Sequence, residues 1–344
     1  MVQSFRNAAE WISKRNAHVK WVLKILVTLL FIYLVNRMIT PRQLKGLFES
    51  LSVPHLVTAT LLGFLGVAFQ SLRWHRVLQC LDFRVGFTDA LKTMLWGSLL
   101  GFVTPGRAGE LLRGVGLDEN RKADAVLASM LDRIYAVLFA LLCGAAALSA
   151  LALSGAMVES KLLYPLLGLT ALGTILSLLL KFKSTLLQKN RAFRWLTGKF
   201  GHLPSALGSA LGKRILFHTL AAHIVLLLQT AVLFDMFGYH DYLLTIPAIA
   251  QAYTFMIFMP FFVANAGVRE YSMALFVGQC GSVSSMDIKA ASTAVSTLVL
   301  FLNIFIPALA GLFWILLEKR KRKTAPQNTV STPVRLLRES GYEE

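Results

Sequence analysis

Two short stretches bring arginine and glutamate together inside otherwise apolar sequence. The first, TPGRAGE, contains Arg107 and Glu110, and the second, NAGVRE, contains Arg269 and Glu270. Aligning the two stretches places Glu110 opposite Glu270, 160 residues later (270 − 110 = 160). A guanidinium is a planar fork that holds phosphate with two parallel hydrogen bonds. The pattern indicates binding of an anionic group, with each glutamate balancing an arginine or contacting a cationic headgroup.

The first stretch breaks an apolar run at Pro105-Gly106. Proline suits the first turn of a helix, and glutamate in that turn complements the helix dipole. We therefore expect a second half-helix to start at Pro105, with Arg107 and Glu110 on one face. Its free backbone N–H groups and Arg107 would together bind an anion. The second stretch offers a similar anion-binding turn, which begins at Gly267. The alternative is that each pair is a local salt bridge that holds its own break together.

Asp132-Arg133 is a further charged pair within an apolar segment. It lies about eight residues, or roughly 12 Å, into that segment at 1.5 Å per residue. A charge at such depth costs a few kcal/mol and usually has a partner or lines a cavity. We expect Asp132 to pair with Arg107 or Arg113, either in a ligand site or as a structural bridge.

The predicted binding residues are the charged groups of these stretches and the small residues that open the breaks. They are Arg107, Glu110, Arg269, Glu270, Asp132, Arg133, Gly106, Gly267, Asn265 and Arg113. We predict no catalytic residue, cofactor or metal. His218 and His223 are five residues apart, which does not suit one face of a helix.

The composition indicates an integral membrane protein. Of 344 residues, 56% are hydrophobic and only 15% are charged, whereas soluble domains average about 25% charged. About 20 apolar residues can span a bilayer. The candidate spans are Val22–Val35 with its flanks, Val53–Leu72, Ala125–Leu153, Leu162–Leu180, Ile215–Phe237 and Ile288–Leu317. The first span lacks a cleavage-site pattern, so we expect it to be retained.

The net charge of +17 is concentrated beside the spans rather than in a nucleic-acid-binding patch. Residues 181–214 hold eight Lys and Arg and no acid, and residues 319–323 read KRKRK. Positive loops mark the cytoplasmic side and attract anionic phospholipid. We expect both termini in the cytoplasm, an inner (plasma) membrane of bacterial or archaeal type, and no nucleic-acid partner.

This orientation predicts an all-α polytopic fold with an inverted repeat. A basic segment, 1–19, precedes repeat one, 20–160, which includes a re-entrant hairpin at about 86–122. Repeat two, 161–317, includes the cytoplasmic loop 181–214 and a second hairpin at about 243–285. A disordered basic tail, 318–344, follows. Inverted repeats with broken helices at matching positions are typical of transporters, although both breaks could be simple kinks.

The motifs also resemble a known family. TPGRAGE, Asp132-Arg133 in the following span and NAGVRE are similar to motifs of the lysylphosphatidylglycerol synthase transmembrane-domain family, described as flippase-like membrane proteins. The resemblance runs from about Lys20 to Lys319. Its best-known relatives carry a soluble domain that transfers an aminoacyl group from tRNA to phosphatidylglycerol. The longest non-membrane segment here, Lys181–Lys213, is shorter than a domain of about 50 residues, so we expect that activity to be missing.

We therefore expect a flippase-like transporter that moves a charged lipid headgroup, phosphate-bearing or aminoacylated, between leaflets. Two alternatives remain. One is an intramembrane lipid-modifying transferase in which Glu110 or Asp132 acts as a general base. The other is a membrane subunit that works with a separate lipid synthase. The sequence leaves the lipid, the ion coupling and the oligomeric state open.

Overall fold

The computed structural model describes residues 51–104, 107–115, 117–118, 121–155, 210–257, 267–280 and 288–324. These residues form eight α-helices: α1 Val53–Cys80, α2 Phe87–Val103, α3 Lys122–Leu153, α4 Ala210–Asp235, α5 Tyr242–Ile257, α6 Val268–Val277, α7 Ile288–Leu300 and α8 Ile306–Thr324. Two 3-10 helices cover Ala108–Leu112 and Gly278–Cys280, and a π-helical turn, Phe301–Phe305, joins α7 to α8. No strand occurs in this part of the chain, which agrees with the predicted all-α class.

Four of the described helices are long and apolar enough to cross a membrane. They are α1, α3, α4 and the continuous helix Ile288–Trp314. These correspond to four of the six predicted spans and confirm an integral membrane protein. The predicted spans Val22–Val35 and Leu162–Leu180 lie outside the described residues, as do the basic N-terminal segment and most of the basic loop.

Two helices extend beyond their predicted ends, and in α1 the charge at that point is neutralised inside the protein. The second predicted span ended at Leu72 because Arg73 follows it, yet α1 continues to Cys80. Arg73 is buried and paired with an aspartate, and the next turn, with Trp74, Val77 and Leu78, is packed in the core. The last helix likewise continues to Thr324, into the predicted tail.

In the first break, the chain doubles back along α2. A Cβ on Gly101 would come within 2.6 Å of the Glu110 side chain, and a Cβ on Gly97 within 2.5 Å of Arg113. The returning segment therefore follows the small-residue face of α2 in the reverse direction. Arg121, just before α3, donates to the carbonyls of Leu81 and Asp82. The segment between α1 and α3 thus starts and finishes at the same place.

In the second break, α5 and α6 pack against each other. The rings of Phe255 and Phe276 lie 6.2 Å apart. Helix α6 begins directly after Gly267, whose φ of +85° suits glycine and would strain other residues. The predicted apolar run from Tyr271 is confirmed as part of this helix, while residues 258–266 lie outside the described residues.

The helices of the two halves pack crosswise, in the sense that helices of one half lie against helices of the other. Helix α1 packs along α4, α2 packs against α8, and α5 packs against α3. Small residues allow the last two contacts, since Gly311 of α8 approaches the backbone of α2 and Gly144 of α3 approaches Thr254 of α5. Buried amides reinforce these contacts: Gln229 donates to the carbonyl of Ala59 at 2.9 Å. Each of the two buried apolar clusters therefore contains residues of both halves.

Replacing Gly311 with alanine tests the α2–α8 contact. A Cβ there would lie 2.6 Å from the backbone oxygen of Leu95, so two helices must separate. We expect Gly311→Ala to destabilise the protein by about 1–3 kcal/mol, as overpacking usually does. The measurement is the thermal unfolding midpoint in detergent.

Gly66→Ala is the matched control, because its Cβ would lie 3.6 Å from Val225, an ordinary contact. We expect an unchanged or slightly raised midpoint, since alanine favours the helix. An equal drop in both variants would contradict the close approach at Gly311.

Candidate functional site

A buried carboxylate held by two arginines forms the centre of the site. The Asp132 side chain of α3 accepts from Arg73 of α1, with Nε–Oδ1 at 2.6 Å and Nη2–Oδ2 at 2.9 Å. Arg113 adds a third contact, Nη2–Oδ2 at 2.6 Å. Asp132 is only 3% exposed. The predicted partner Arg113 is confirmed, while the other predicted partner, Arg107, pairs elsewhere, and Arg73 was not predicted.

Arg113 is fixed from several sides. Its guanidinium carbon lies 3.9 Å from the centre of the Trp74 ring, a cation–π contact. One Nη donates to the sulfur of Met94 at 3.4 Å, and the aliphatic stem packs where Gly97 leaves room. The side chain is 5% exposed, yet its Nε has no hydrogen-bond partner. Arg113 therefore joins the returning segment to α1, α2 and α3.

The geometry around Arg107 differs from the predicted half-helix. Arg107 adopts a left-handed conformation with φ of 58°, and only a five-residue 3-10 helix, Ala108–Leu112, follows. Because so short a helix has little dipole and few aligned N–H groups, the expected anion site at a helix N-terminus is not formed by these residues. Arg107 and Glu110 form an i, i+3 ion pair, as the alternative interpretation of this stretch expected.

Arg133 links this pair to the aspartate cluster. Its Nη1 donates to the backbone oxygen of Arg107 at 3.2 Å. Its charge also interacts with Glu110, Arg107 and Arg113. The two adjacent residues of α3 therefore hold different parts of the returning segment: Asp132 holds Arg113, and Arg133 holds the turn at Arg107.

The second break contributes Arg269 and Glu270, both on α6. One Glu270 carboxylate oxygen accepts from the N–H of Gly267 at 2.5 Å and so caps the helix. The other lies 3.9 Å from Arg269 Nε, which is too long for a hydrogen bond. Arg269 is 3% exposed, and its Nε and Nη2 have no hydrogen-bond partner. The guanidinium is therefore buried with free donors.

Arg269 and Arg107 lie within range of direct electrostatic interaction. The positive charge of Arg107 acts on Arg269, as do the Glu270 carboxylate and Tyr253 of α5. Tyr253 is in turn hydrogen-bonded to Thr230 at 2.9 Å. The charges of the two breaks, far apart in sequence, therefore act on each other.

The structure brings most of the predicted binding residues together. Contacts link Arg107, Glu110, Arg113, Asp132 and Arg133. Arg269 and Glu270 lie in the first turn of α6, directly after Gly267, and are related to the others by the charge of Arg107. Gly106 and Asn265 lie outside the described residues. Sequence reasoning missed Arg73, because its pairing with Asp132, 59 residues later on another helix, arises only from tertiary packing. It also missed Gly97 and Gly101, whose spacing of four is a known close-packing signal.

No group of three or more His, Cys, Asp or Glu side chains in the described residues could hold a metal ion. The chemistry of the site is that of arginine donors. Donors of this kind suit oxygen-rich anions.

Removing the Asp132 charge tests the centre of the site. Asp132→Asn would leave Arg73 and Arg113 as buried cations without a counter-charge. Breaking a buried ion pair from one side usually costs about 3–5 kcal/mol. We expect a loss of stability of that order, measured by denaturant or thermal unfolding in detergent.

Asp89→Asn serves as the control, because Asp89 forms an ion pair with Lys92 at the surface. Such a surface pair contributes about 1 kcal/mol or less to the stability. Adding Arg73→Met to Asp132→Asn should restore part of the lost stability by removing one unbalanced charge. Equal stability of Asp132→Asn and the wild type would contradict the assigned role.

The comparisons with known proteins agree with the resemblance seen in the sequence. A family model described as "Lysylphosphatidylglycerol synthase TM region" matches residues 21–311. Neither the curated proteins nor the solved structures compared with this chain include a significant match. The matched residues include both breaks and every helix of the site. The chain therefore belongs to the lysylphosphatidylglycerol synthase transmembrane-region family.

Proposed function

We propose that this protein is a flippase-like lipid transporter that moves a charged headgroup between the leaflets of a membrane. The observation that carries the proposal is Arg269 of the second break, which is buried with two unpartnered N–H donors, Nε and Nη2. Arg107 of the first break is near enough for its charge to act on Arg269. Two like charges close together in a protein interior repel each other. An anionic headgroup placed between them would remove that repulsion.

Unpartnered donors suit a ligand that binds and leaves. A buried N–H group without an acceptor costs about 1–3 kcal/mol. Arg269 has two such groups, and the Nε atoms of Arg107 and Arg113 add one each. A structural network would be expected to pair these donors permanently. In a transport site, a headgroup that enters supplies acceptors to these donors and removes the free-energy cost while it is bound.

The crosswise packing supports an inverted repeat. Under the predicted repeat, α2 corresponds to α5, and the last span of one half corresponds to the last span of the other. The observed contacts agree with this correspondence, because the first hairpin helix of each half packs on the last span of the other half. Helix α2 packs on α8, and α5 packs on α3. The tie from Arg121 to Leu81 and Asp82 supports a first hairpin that enters and leaves on one face. In this proposal the hairpins enter from opposite faces, and one repeat rocks against the other.

The setting follows from the predicted charges. The basic segments would lie in the cytoplasm against anionic phospholipid, with the protein in an inner (plasma) membrane. The acyl chains of the substrate would stay in the bilayer while the headgroup enters the polar region. A separate synthase could supply the lipid.

The transferase alternative is less well supported. A general base needs a carboxylate that can accept a proton from the substrate. Glu110 is paired with Arg107, and Asp132 is held by two arginines. Both candidate bases are therefore already neutralised by cations, which favours binding over proton transfer.

Lipid movement in proteoliposomes tests the proposal. Fluorescent phospholipids in the outer leaflet are bleached by dithionite, so the bleached fraction reports exchange between leaflets. We expect Arg269→Gln and Arg107→Gln each to slow exchange by about 10-fold or more, because a hydrogen bond to a charged group is worth about 1.5–3 kcal/mol.

Arg84→Gln is the matched control, since Arg84 is exposed and takes part in none of the described contacts of the site. It should exchange lipid at the wild-type rate. Arg269→Gln should also unfold at or above the wild-type temperature, because it removes a buried cation with free donors. Wild-type exchange rates in both site variants would contradict the residue assignment, and exchange no faster than in protein-free liposomes would contradict the function.

A further inference from the structure

The unpartnered groups in the described part of the site are all donors. They are Nε of Arg107, Nε of Arg113, and Nε and Nη2 of Arg269. Arg113 and Arg269 are both more than nine-tenths buried. A ligand that completes this site must therefore offer several acceptor oxygens. Guanidinium donors match phosphate oxygens best, through paired N–H···O bonds.

The carboxylates of the site, in contrast, are already engaged. Asp132 accepts from Arg73 and Arg113. Glu110 pairs with Arg107. Each of these acids has its charge balanced by an arginine before any ligand enters.

Glu270 is engaged as well. One of its oxygens accepts from the backbone N–H of Gly267, and the other is balanced by the charge of Arg269 at 3.9 Å without a hydrogen bond. An ammonium group on a ligand needs a carboxylate or several free acceptors. Within the described part of the site, such a group meets arginines and occupied carboxylates.

We propose that the site selects a phosphate headgroup that carries no balancing cation. This inference rests on the proposed function and narrows its substrate class. Lipids of phosphatidylglycerol, phosphatidic acid or prenyl phosphate type fit. Ethanolamine and choline lipids, and the lysyl ester of phosphatidylglycerol, bring an ammonium into a region of like charge. The site is thus complementary to the unmodified anionic lipid rather than to an aminoacylated one.

The position of the arginines adds a geometric reason. Arg107 belongs to the first break and Arg269 to the second, so a phosphate between them receives a guanidinium from each half. Lysine would keep the charge but lose the planar fork. A phosphate bound by both arginines would hold the two halves together, and its release would free the halves to move.

Binding and movement are measured separately on the full-length protein. In detergent, the unfolding midpoint is followed with dioctanoyl phosphatidylglycerol, phosphatidic acid, phosphatidylethanolamine, lysyl-phosphatidylglycerol and inorganic phosphate. In proteoliposomes, exchange is followed for fluorescent phosphatidylglycerol and phosphatidylethanolamine. We expect phosphatidylglycerol and phosphatidic acid to raise the unfolding midpoint. We expect fluorescent phosphatidylglycerol to exchange at least 10-fold faster than fluorescent phosphatidylethanolamine.

Arg269→Gln should lose the midpoint shift and the 10-fold preference, and Arg269→Lys should retain only part of both. Arg84→Gln should keep both. If Arg269→Gln fails to fold, Arg107→Gln provides the same test from the other break. Retention of the shift and the preference in both would overturn the assignment to these arginines.

The outcomes separate the two proposals. Equal exchange of anionic and zwitterionic lipids would overturn the selectivity while leaving the transporter function in place. Selective binding of anionic lipid without any exchange would overturn the transporter function while supporting the phosphate site. A shift by inorganic phosphate as large as that by lipid would overturn the lipid as the source of the phosphate. Equal shifts with every lipid, or none, would overturn the phosphate site.

Discussion

The structure of the site depends on the interaction of Asp132 with Arg73 and Arg113. One carboxylate accepts from two guanidinium groups in a region almost closed to solvent. Charges that deep are stable only when paired. The interaction joins α1, α3 and the returning segment of the first break. It therefore holds irregular backbone in the protein interior, where each polar group needs a protein partner.

With that bridge in place, the remaining arginines can stay incompletely paired. Arg107 is held by Glu110 and by the neighbouring Arg133, yet its Nε is free. Arg269 has Glu270 nearby, but the carboxylate is turned towards the backbone of Gly267. The result is an excess of unpartnered donors on the arginines of the two breaks. Such an excess is costly for stability and useful for binding a transient anion.

Much of this arrangement could be predicted from the sequence, because apolar length and charge placement are local properties. The four described spans, the break before Gly267, and the pairs Arg107–Glu110 and Asp132–Arg113 follow from spacing and from the cost of unpaired charge. The role of Arg73 could not, because an arginine after an apolar run normally marks a helix end at the membrane surface. Only tertiary pairing makes it part of a longer helix. The left-handed turn at Arg107 was also unpredictable, since it depends on packing against Gly97 and Gly101.

The central claim is that Arg107 and Arg269 meet in one site. Cross-linking of two introduced cysteines with a short bifunctional thiol-reactive reagent, applied in native membranes, tests this claim most directly. The variant would combine Arg107→Cys and Arg269→Cys with serine at the three native cysteines. We predict an intramolecular cross-link in the double variant, suppressed by added anionic lipid and not formed when Arg84→Cys replaces Arg107→Cys. Failure to cross-link while both single cysteines react with the same reagent would contradict the account.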